Sequence, residues 1–344
     1  MWMLYGAYGT TGRLILDDAV RRGHRPLLAG RDPSRLAALA AQTGLPWIAL
    51  PLDSPQSAAA AAALAGVSAI LNAAGPFFAT GAPIRRLCLE AGVSYLDVNG
   101  EIDDFVEALG DDDMARAKRI AIVPGAGFGV VFGEALAAHV ARRMPDAKWL
   151  RLSIDAVNAS SSAGAALSTA SVLAGGGYAI TGGELRSRPI AFTTWRLKTQ
   201  KGTLRFAAAP RAELVAALRF TGIQEIVTGV PLSLASAIVM RTVGRRVGAM
   251  LLRRGAAKKA QAESPVNSNA QYLRSHVWAE AGNEAGERAT SMLETGEGYR
   301  LAAAAAVHAV EKLLEKRPVG ALTPAQAFGA DFALSLPETR IHDL

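Results

Sequence analysis

Three glycines three residues apart, Gly6, Gly9 and Gly12 in G-A-Y-G-T-T-G, stand between an apolar run from Trp2 to Tyr5 and an amphipathic stretch that opens at Arg13. Glycine permits positive φ and lets a ligand approach bare backbone closely. A helix that opens directly after such a turn presents free N–H groups to an anion. The spacing predicts a dinucleotide cradle built from Gly6, Tyr8, Gly9, Thr10, Thr11 and Gly12, with the pyrophosphate at the helix amino terminus. The same spacing also occurs as a purely structural turn, so the residues downstream of it decide its meaning.

The end of the second apolar run decides between dinucleotides. It reads L-L-A-G-R-D-P-S-R-L. Arg31 directly follows Gly30, and its planar guanidinium can stack on adenine and grip a 2′-phosphate. Ser34 and Arg35 open the next helix and can add donors to that phosphate. Asp32 is discordant, because an inward-pointing carboxylate there would suit the 2′-hydroxyl of NAD. The balance of residues favours NADP(H). Asp53, after the third run, is expected either at the adenine amino group or as the cap of the helix after it.

Ligands of open α/β sheets lie outside the carboxyl ends of the strands. Two further strand ends therefore carry candidates. Asn72, Ala73, Ala74, Gly75 and Pro76 form a loop of small residues past which the nicotinamide ribose and diphosphate can run. Asp97, Asn99 and Glu101 come after the fifth run, in Y-L-D-V-N-G-E. Hydride transfer is the cofactor's own chemistry, while the protein orients the reactants and supplies a proton. Glu101 is the acid/base candidate by position, with Asn99 as a polar anchor; helix capping is the competing reading of Glu101.

Other chemistries find less support. No Tyr is followed four residues later by Lys, no G-x-S-x-G elbow is present, and no His, Cys, Asp or Glu cluster has metal-ligand spacing. His139 and His308 fall in helical patterns and read as packing or surface residues, whereas His276 falls in an expected strand and Tyr299 opens an expected helix. The single cysteine, Cys88, excludes an intramolecular disulfide and fits a reducing compartment.

These residues need a scaffold that brings strand ends together. Expected strands at 1–5, 26–29, 47–50, 69–72, 95–98 and 120–123 alternate with alanine-rich helices at 34–43, 57–64 and 83–91, which argues for a parallel sheet covered on both faces. Beyond residue 127 the texture changes. A helix at 134–143, strands at 149–157 and within 190–206, and a hairpin of 275–281 with 288–294 read as α+β. Residues 255–270 are expected to form a mobile loop, and 299–316 a helix. The expected division is a Rossmann domain at 1–127, an inserted α+β domain at 128–306, and a closing segment at 307–344 whose tail, 323–344, packs back on the first domain.

The 344 residues are half hydrophobic and 19% charged, with a net charge of +7, enough for a large core and compatible with an anionic cofactor, an anionic substrate or a membrane surface. No zinc-finger spacing or aromatic RNA-binding signature is present, so no nucleic-acid partner is expected. No leader and no membrane-spanning run is apparent, which gives the expectation of a cytoplasmic protein. Residues 232–254 form a basic amphipathic stretch. On a helical wheel Val239, Met240, Val243, Val247, Met250 and Leu251 share one face, and Arg241, Arg245, Arg246 and Arg253 gather opposite. Such a helix can lie on an anionic membrane as a peripheral contact; the alternative packs it on the second domain with its basic side in solvent. A homodimer stays open.

Together G-A-Y-G-T-T-G-R, A-G-R-D-P-S-R-L, L-N-A-A-G-P-F, C-L-E-A-G-V-S-Y-L-D-V-N-G-E and V-P-G-A-G-F-G resemble the saccharopine dehydrogenase-like NADP-binding family, which includes saccharopine reductases and trans-acting enoyl reductases. The resemblance covers residues 1–130 and is fainter beyond. It implies a Rossmann domain, an inserted α+β domain and NADP(H). Two departures, Gly127-Phe128-Gly129 without the family's aspartate and Phe77-Phe78 where amino-acid-handling relatives tend to be polar, point away from saccharopine and toward an apolar or acyl-type small molecule. The leading expectation is an NADP-dependent reductase of a C=C or C=N bond. The alternatives are a membrane-associated NADP-binding adaptor without turnover and a saccharopine-type imine reductase, for which Arg196 or Arg205 would bind a carboxylate.

Overall fold

The computed structural model describes residues 1–52, 64–157, 174–199, 202–253 and 273–344. Asp53, most of the helix expected at 57–64, and the loop expected at 255–270 lie outside the described residues. The chain divides into two compact units.

The first unit comprises Met1–Asn99, Asp103–Phe128 and Tyr299–Gly329. Its strands are β1 (Trp2–Tyr5), β2 (Leu27–Gly30), β3 (Trp47–Ala49), β4 (Ala69–Asn72), β5 (Ser94–Asp97), β6 (Ala121–Val123) and β15 (Gly320–Ala321). They form one parallel sheet in the order β15-β6-β5-β4-β1-β2-β3. All residues of β1, β2 and β4 are buried, which is why these strands read as unbroken apolar runs and not as alternating ones. Helices α1 (Thr10–Arg21), α2 (Pro33–Thr43), α3 (Phe77–Ala91), α4 (Ile102–Gly110) and α5 (Asp112–Lys118) connect them. The glycines Gly44 and Gly92 end α2 and α3 in left-handed geometry, where a Cβ would be strained. Met3, Tyr5, Ile70, Ile84, Cys88, Tyr95 and Ile122 belong to one buried cluster beneath the sheet.

The strand order reverses direction between β1 and β4. In a doubly wound sheet, neighbouring crossovers then leave to opposite faces, and a crevice opens beyond the carboxyl ends of those two strands. The glycine-rich turn comes directly after β1, and the small-residue loop 73–76 directly after β4.

The second unit comprises Gly100–Ile102, Gly129–Gly298 and Ala330–Leu344. Helix α6 (Phe128–Arg143) leads into strands β7 (Trp149–Asp155), β8 (Gly177–Thr181), β9 (Glu184–Arg188), β10 (Thr194–Thr199), β11 (Gly202–Ala208), β12 (Glu225–Pro231), β13 (Ser275–Gly282), β14 (Arg288–Thr295) and β16 (Arg340–Asp343), with α7 (Glu213–Thr221) and α8 (Leu234–Arg253) between. The sheet runs β10-β11-β12-β7-β13-β14-β16, and β8 joins β12 to β9. Among the described residues of this sheet, only β7 and β12 pair in parallel. The expected hairpin is present, β13 and β14 pairing from Ser275–Thr295 to Gly282–Arg288. On one sheet face Trp195, Phe206, Trp278 and Met292 pack together, and Trp195 Nε1 donates to Ser153 Oγ at 2.9 Å.

The closing segment departs from expectation. Helix α9 (Gly298–Lys316) joins the first unit from Tyr299, ahead of residue 307, and β15 and α10 (Pro324–Phe328) stay with it. Beyond Gly329 the tail leaves: β16 pairs antiparallel with β14, Leu293 opposite Ile341, so 330–344 completes the second sheet and does not return to the first. The edge of β14 offers unpaired backbone groups that a short, charged strand satisfies.

Candidate functional site

The turn after β1 is built by backbone proximity. Gly6 has φ +82°, and its N–H donates to Ala29 O at 2.8 Å, which ties the turn to β2. A Cβ on Gly6 would lie 2.8 Å from the Ala74 Cβ, so the turn after β1 and the loop after β4 touch across the crevice. A Cβ on Gly12 would run into the Gly6 carbonyl. Gly9 differs. It is the N-cap of α1 at φ −74° and ψ 166°, a conformation open to any residue, and its Cβ would meet only Gly6 O at 3.3 Å. No side chain caps α1. The N–H groups of Thr10, Thr11 and Gly12, in the first turn, lie among those with no partner inside a helix. Free N–H groups of this kind are the donors that a helix amino terminus can offer an anion. The cradle read from G-A-Y-G-T-T-G therefore has two glycines that the fold requires and one, Gly9, that the fold does not.

The Tyr8 ring lies over Gly30, where a Cβ would approach Tyr8 Cε1 to 2.7 Å. The Arg35 guanidinium sits 4.5 Å from the Tyr8 ring centre and donates to Tyr8 O at 3.3 Å, as does Arg13 Nε. Asp32 resolves its ambiguity: it is the N-cap of α2, and its Oδ1 accepts from Arg35 N at 3.1 Å. The cap gives the Asp32 carboxylate a role within α2 itself. Arg31 is exposed and has no hydrogen bond or ion pair among the described residues. Ser34 is exposed in the first turn of α2. Arg31 and Ser34, with Asp32 Oδ1 occupied at the start of α2, suit a 2′-phosphate.

The remaining candidates belong to a buried polar network. Asn72 Oδ1 accepts from Ala74 N at 3.0 Å, and Asn72 Nδ2 donates to Thr80 Oγ1 at 3.2 Å and to Tyr95 Oη at 3.3 Å. Thr80 Oγ1 in turn donates to Ala74 O at 2.6 Å. These bonds fix the 73–76 loop, whose Gly75–Pro76 peptide is cis. Asp97 is fully buried. Its Oδ1 accepts from Gly125 N at 2.7 Å and Asn99 N at 2.9 Å, and its Oδ2 accepts from Tyr95 Oη at 2.8 Å. Burial pushes the Asp97 carboxyl up, and the two backbone N–H groups pull it back. Asp97 and Asn72, expected to touch cofactor, clamp the loops at the carboxyl ends of β4, β5 and β6 through these bonds. A hydrogen-bonded carboxylate beneath a loop fixes its course more firmly than the loop's own small residues can.

Asn99 is likewise turned inward: its Nδ2 donates to Asp104 Oδ2 at 2.7 Å. Asp104 accepts from Arg85 Nη1 at 2.7 Å, and Arg85, only 1% exposed, also reaches Asp111 Oδ2 at 3.1 Å and Glu107 Oε2 at 3.3 Å. Burial, reinforced by the Asp97 charge, pushes the Asp104 carboxyl up to about 7. Burial also works against the Arg85 charge, but Asp104 outweighs it and holds the guanidinium protonated throughout. Gly81 makes room for this arrangement, because a Cβ there would strike the Asp104 carboxylate. Arg85, Asp104 and Tyr95 were not singled out in the sequence. The signal was present: Asp104, Glu107 and Asp111 stand at i, i+3 and i+7, opposite an arginine set in the apolar stretch 84–89.

Glu101 is 6% exposed and directly precedes α4. Tyr299 is half-buried in the first turn of α9. His276 stacks on Trp278 at 5.4 Å and lies 3.4 Å from Glu294 Oε2, a packing role. His139 lies 2.8 Å from Asp343 and His308 2.8 Å from Glu311. Arg196 and Arg205 are directly opposed in the β10–β11 register. In α8 the packed stripe is Ala237 and Gly244, both buried, with the half-buried Met240, set toward Ile190. Among the described residues of the expected apolar face, Met240 is half-buried, while Val239, Val243 and Met250 are exposed. Small residues set the close face, and a wheel drawn on large apolar residues misses them. The side chains of Arg245, Val247, Leu251 and Arg253 lie outside the described residues. No helix among the described residues is long and apolar enough to cross a membrane.

Residues 2–121 match the family model of the saccharopine dehydrogenase NADP binding domain. A "probable mitochondrial saccharopine dehydrogenase-like oxidoreductase" of Arabidopsis thaliana is 30% identical over 153 residues, 38% of this chain and 32% of that protein. A trans-acting enoyl reductase of Mycobacterium ulcerans is 33% identical over 105 residues, 29% of this chain and 25% of that protein. The chain thus spans a third or less of the length of these relatives. Among solved structures, the saccharopine dehydrogenase (L-Glu forming) of Saccharomyces cerevisiae superposes with a TM-score of 0.62 at 10% identity over 99% of both chains. An amine dehydrogenase of Mycobacterium smegmatis gives 0.53 at 11% identity, over 98% of this chain and 96% of that one. These two likenesses show the fold.

Proposed function

We propose, for a chain whose residues 2–121 are a saccharopine dehydrogenase-like NADP-binding domain, that the whole protein is an NADP(H)-dependent oxidoreductase reducing a C=C or C=N bond of an apolar or acyl-type small molecule. The observation that carries this reading is the meeting of Gly6 and Ala74 at the switch point between β1 and β4, beside an uncapped α1. In this reading the first-turn N–H groups of α1 hold the diphosphate, Arg31 and Ser34 hold the 2′-phosphate, and loop 73–76 lies against the nicotinamide ribose. When bound, the cofactor supplies or accepts the hydride at its nicotinamide ring.

The chain's own part is orientation and the proton. Asp97 and Asn72 keep the loops of β4, β5 and β6 in fixed positions, and Asn99 is a positioning residue held by Asp104. Glu101 is the acid/base candidate that delivers the proton to the carbon or nitrogen next to the one receiving hydride. The exposed ring of Phe78, two residues after the small-residue loop, favours an apolar substrate.

The test is NADPH oxidation by the full chain with imines, enones and enoyl thioesters. Turnover with at least one class is expected, and Glu101→Gln is expected to lower kcat by roughly 100-fold, the ordinary contribution of a general acid, with NADPH affinity retained. Stoichiometric NADPH binding with no turnover across all three classes would favour the adaptor reading instead.

A further inference from the structure

A groove of about 450 Å³ lies wholly within the second unit, where β7, β8 and β12 meet the chain after β9 and the middle of α8. Its wall is apolar: Ile180 is buried, and Phe192 and Val227 continue into the Trp195–Phe206–Trp278 cluster. Three guanidinium groups line it, those of Arg151, Arg188 and Arg241. One carboxylate, Glu225, stands among them, and its Oε1 accepts from Gly182 N at 2.7 Å. Arg151 lies 4.9 Å from the Trp149 ring centre, and its Nη1 is 3.6 Å from Glu280 Oε2. Arg188 donates to Thr181 Oγ1 at 3.3 Å. Arg241 is exposed and has no hydrogen bond or ion pair among the described residues.

Glu280 offsets Arg151, and Glu225 is the one carboxylate of the lining set against Arg188 and Arg241, so the groove keeps a net positive charge. Guanidinium pairs are the groups best shaped to hold a carboxylate or phosphate through parallel N–H bonds. The surroundings specify more than charge. Leu234, Ile238 and Arg241 stand at i, i+4 and i+7 and so share one stripe of α8. Leu234 is 50% and Ile238 57% exposed. An apolar track on the helix thus leads to the cation at the rim, and the apolar wall lies behind it.

We propose that this groove is a binding site for an anionic amphiphile, a carboxylate or phosphate carried on an apolar chain, with Arg241 and Arg188 gripping the head. The site belongs to the second domain and does not rest on the dinucleotide reading, so either can fail alone. The same head chemistry is offered by a free amphiphile and by a membrane lipid, and the test separates them.

Decyl phosphate, kept below its critical micelle concentration, is titrated calorimetrically into the full chain, with decanol as the uncharged comparison. Saturable one-to-one binding of decyl phosphate but not decanol is expected. Arg241→Gln and Arg188→Gln, both at exposed positions, should each weaken it about tenfold, the value of one charge-assisted contact, with NADPH affinity and circular dichroism unchanged. Wild-type affinity in both variants, or equal binding of decanol, overturns the proposal. In a second arm, sedimentation with phosphatidylglycerol vesicles that is lost in Arg241→Gln alongside decyl phosphate binding identifies a lipid head as the source and supports the site. Vesicle binding without any binding of monomeric decyl phosphate overturns it, because a charged helix surface then suffices.

Discussion

Replacing Gly9 by alanine separates fold from function in the glycine-rich turn. The backbone of Gly9, at φ −74° and ψ 166°, accepts an L-residue without strain, and the added Cβ meets one carbonyl, Gly6 O, at 3.3 Å. That contact needs a shift of a few tenths of an ångström, so the folding cost should stay below about 1 kcal/mol. Gly12→Ala is the contrast: its Cβ would overlap the Gly6 carbonyl, and the turn itself must open. In the Gly9 variant the new methyl stands at the amino terminus of α1, where a diphosphate must touch bare N–H groups. Losing one charge-assisted N–H bond to an anion costs about 1.5–3 kcal/mol, or roughly 10- to 150-fold in Kd. Fluorescence titration with NADPH measures that loss, and thermal unfolding of the same sample shows that the fold persists. A folded Gly9→Ala protein that binds NADPH within twofold of the parent would refute the reasoning, because the nucleotide would then not be resting on this turn.

Further expectations concern the adenosine end and the buried network. Arg31→Ala should weaken NADPH roughly tenfold, as one solvent-exposed phosphate contact does, and leave NADH unchanged in the same titration. Tyr95→Phe removes the hydroxyl that joins Asn72 to Asp97 and should cost about 1–3 kcal/mol in the denaturant unfolding of the first domain. Asp104 gives a pH dependence. Its folded-state carboxyl titrates near 7 against an ordinary value of 3.8, so between those values the folded chain holds a proton that the unfolded chain has released. The stabilisation is complete below the unfolded value and is lost as pH rises through about 7, at no more than about 1.4 kcal/mol per pH unit. Unfolding free energies at several pH values should show this slope in the parent and its loss in Asp104→Asn.

The first sheet was legible because parallel strands buried on both faces appear as short apolar runs, and the glycine motif because its residue types are dictated by close backbone approach. The roles of Asn72, Asp97 and Asn99 were not legible. Their positions after strands placed them near the crevice, but the bonds that engage their side chains run to Tyr95 and Gly125, more than twenty residues away, and to Asp104 on the next helix, pairings that strand and loop patterns do not announce. Asp32 was ambiguous in sequence because capping and ribose binding ask for the same residue type, and only the geometry of α2 separates them. The tail was misjudged because β16 is four residues long and largely charged, and it becomes a strand through the open edge of β14. The packed face of helix α8 is set in part by Ala237 and Gly244, whose smallness a wheel of large apolar residues does not weigh.

The central claim is that the first domain holds a dinucleotide carrying a 2′-phosphate across the crevice between β1 and β4. Parallel equilibrium titrations of the full chain with NADPH and with NADH test it most directly. One exposed Arg–phosphate pair, with Asp32 turned to its helix, predicts saturable NADPH binding at least about tenfold tighter than NADH. Equal affinity for the two, or no saturable binding of either, would contradict the account.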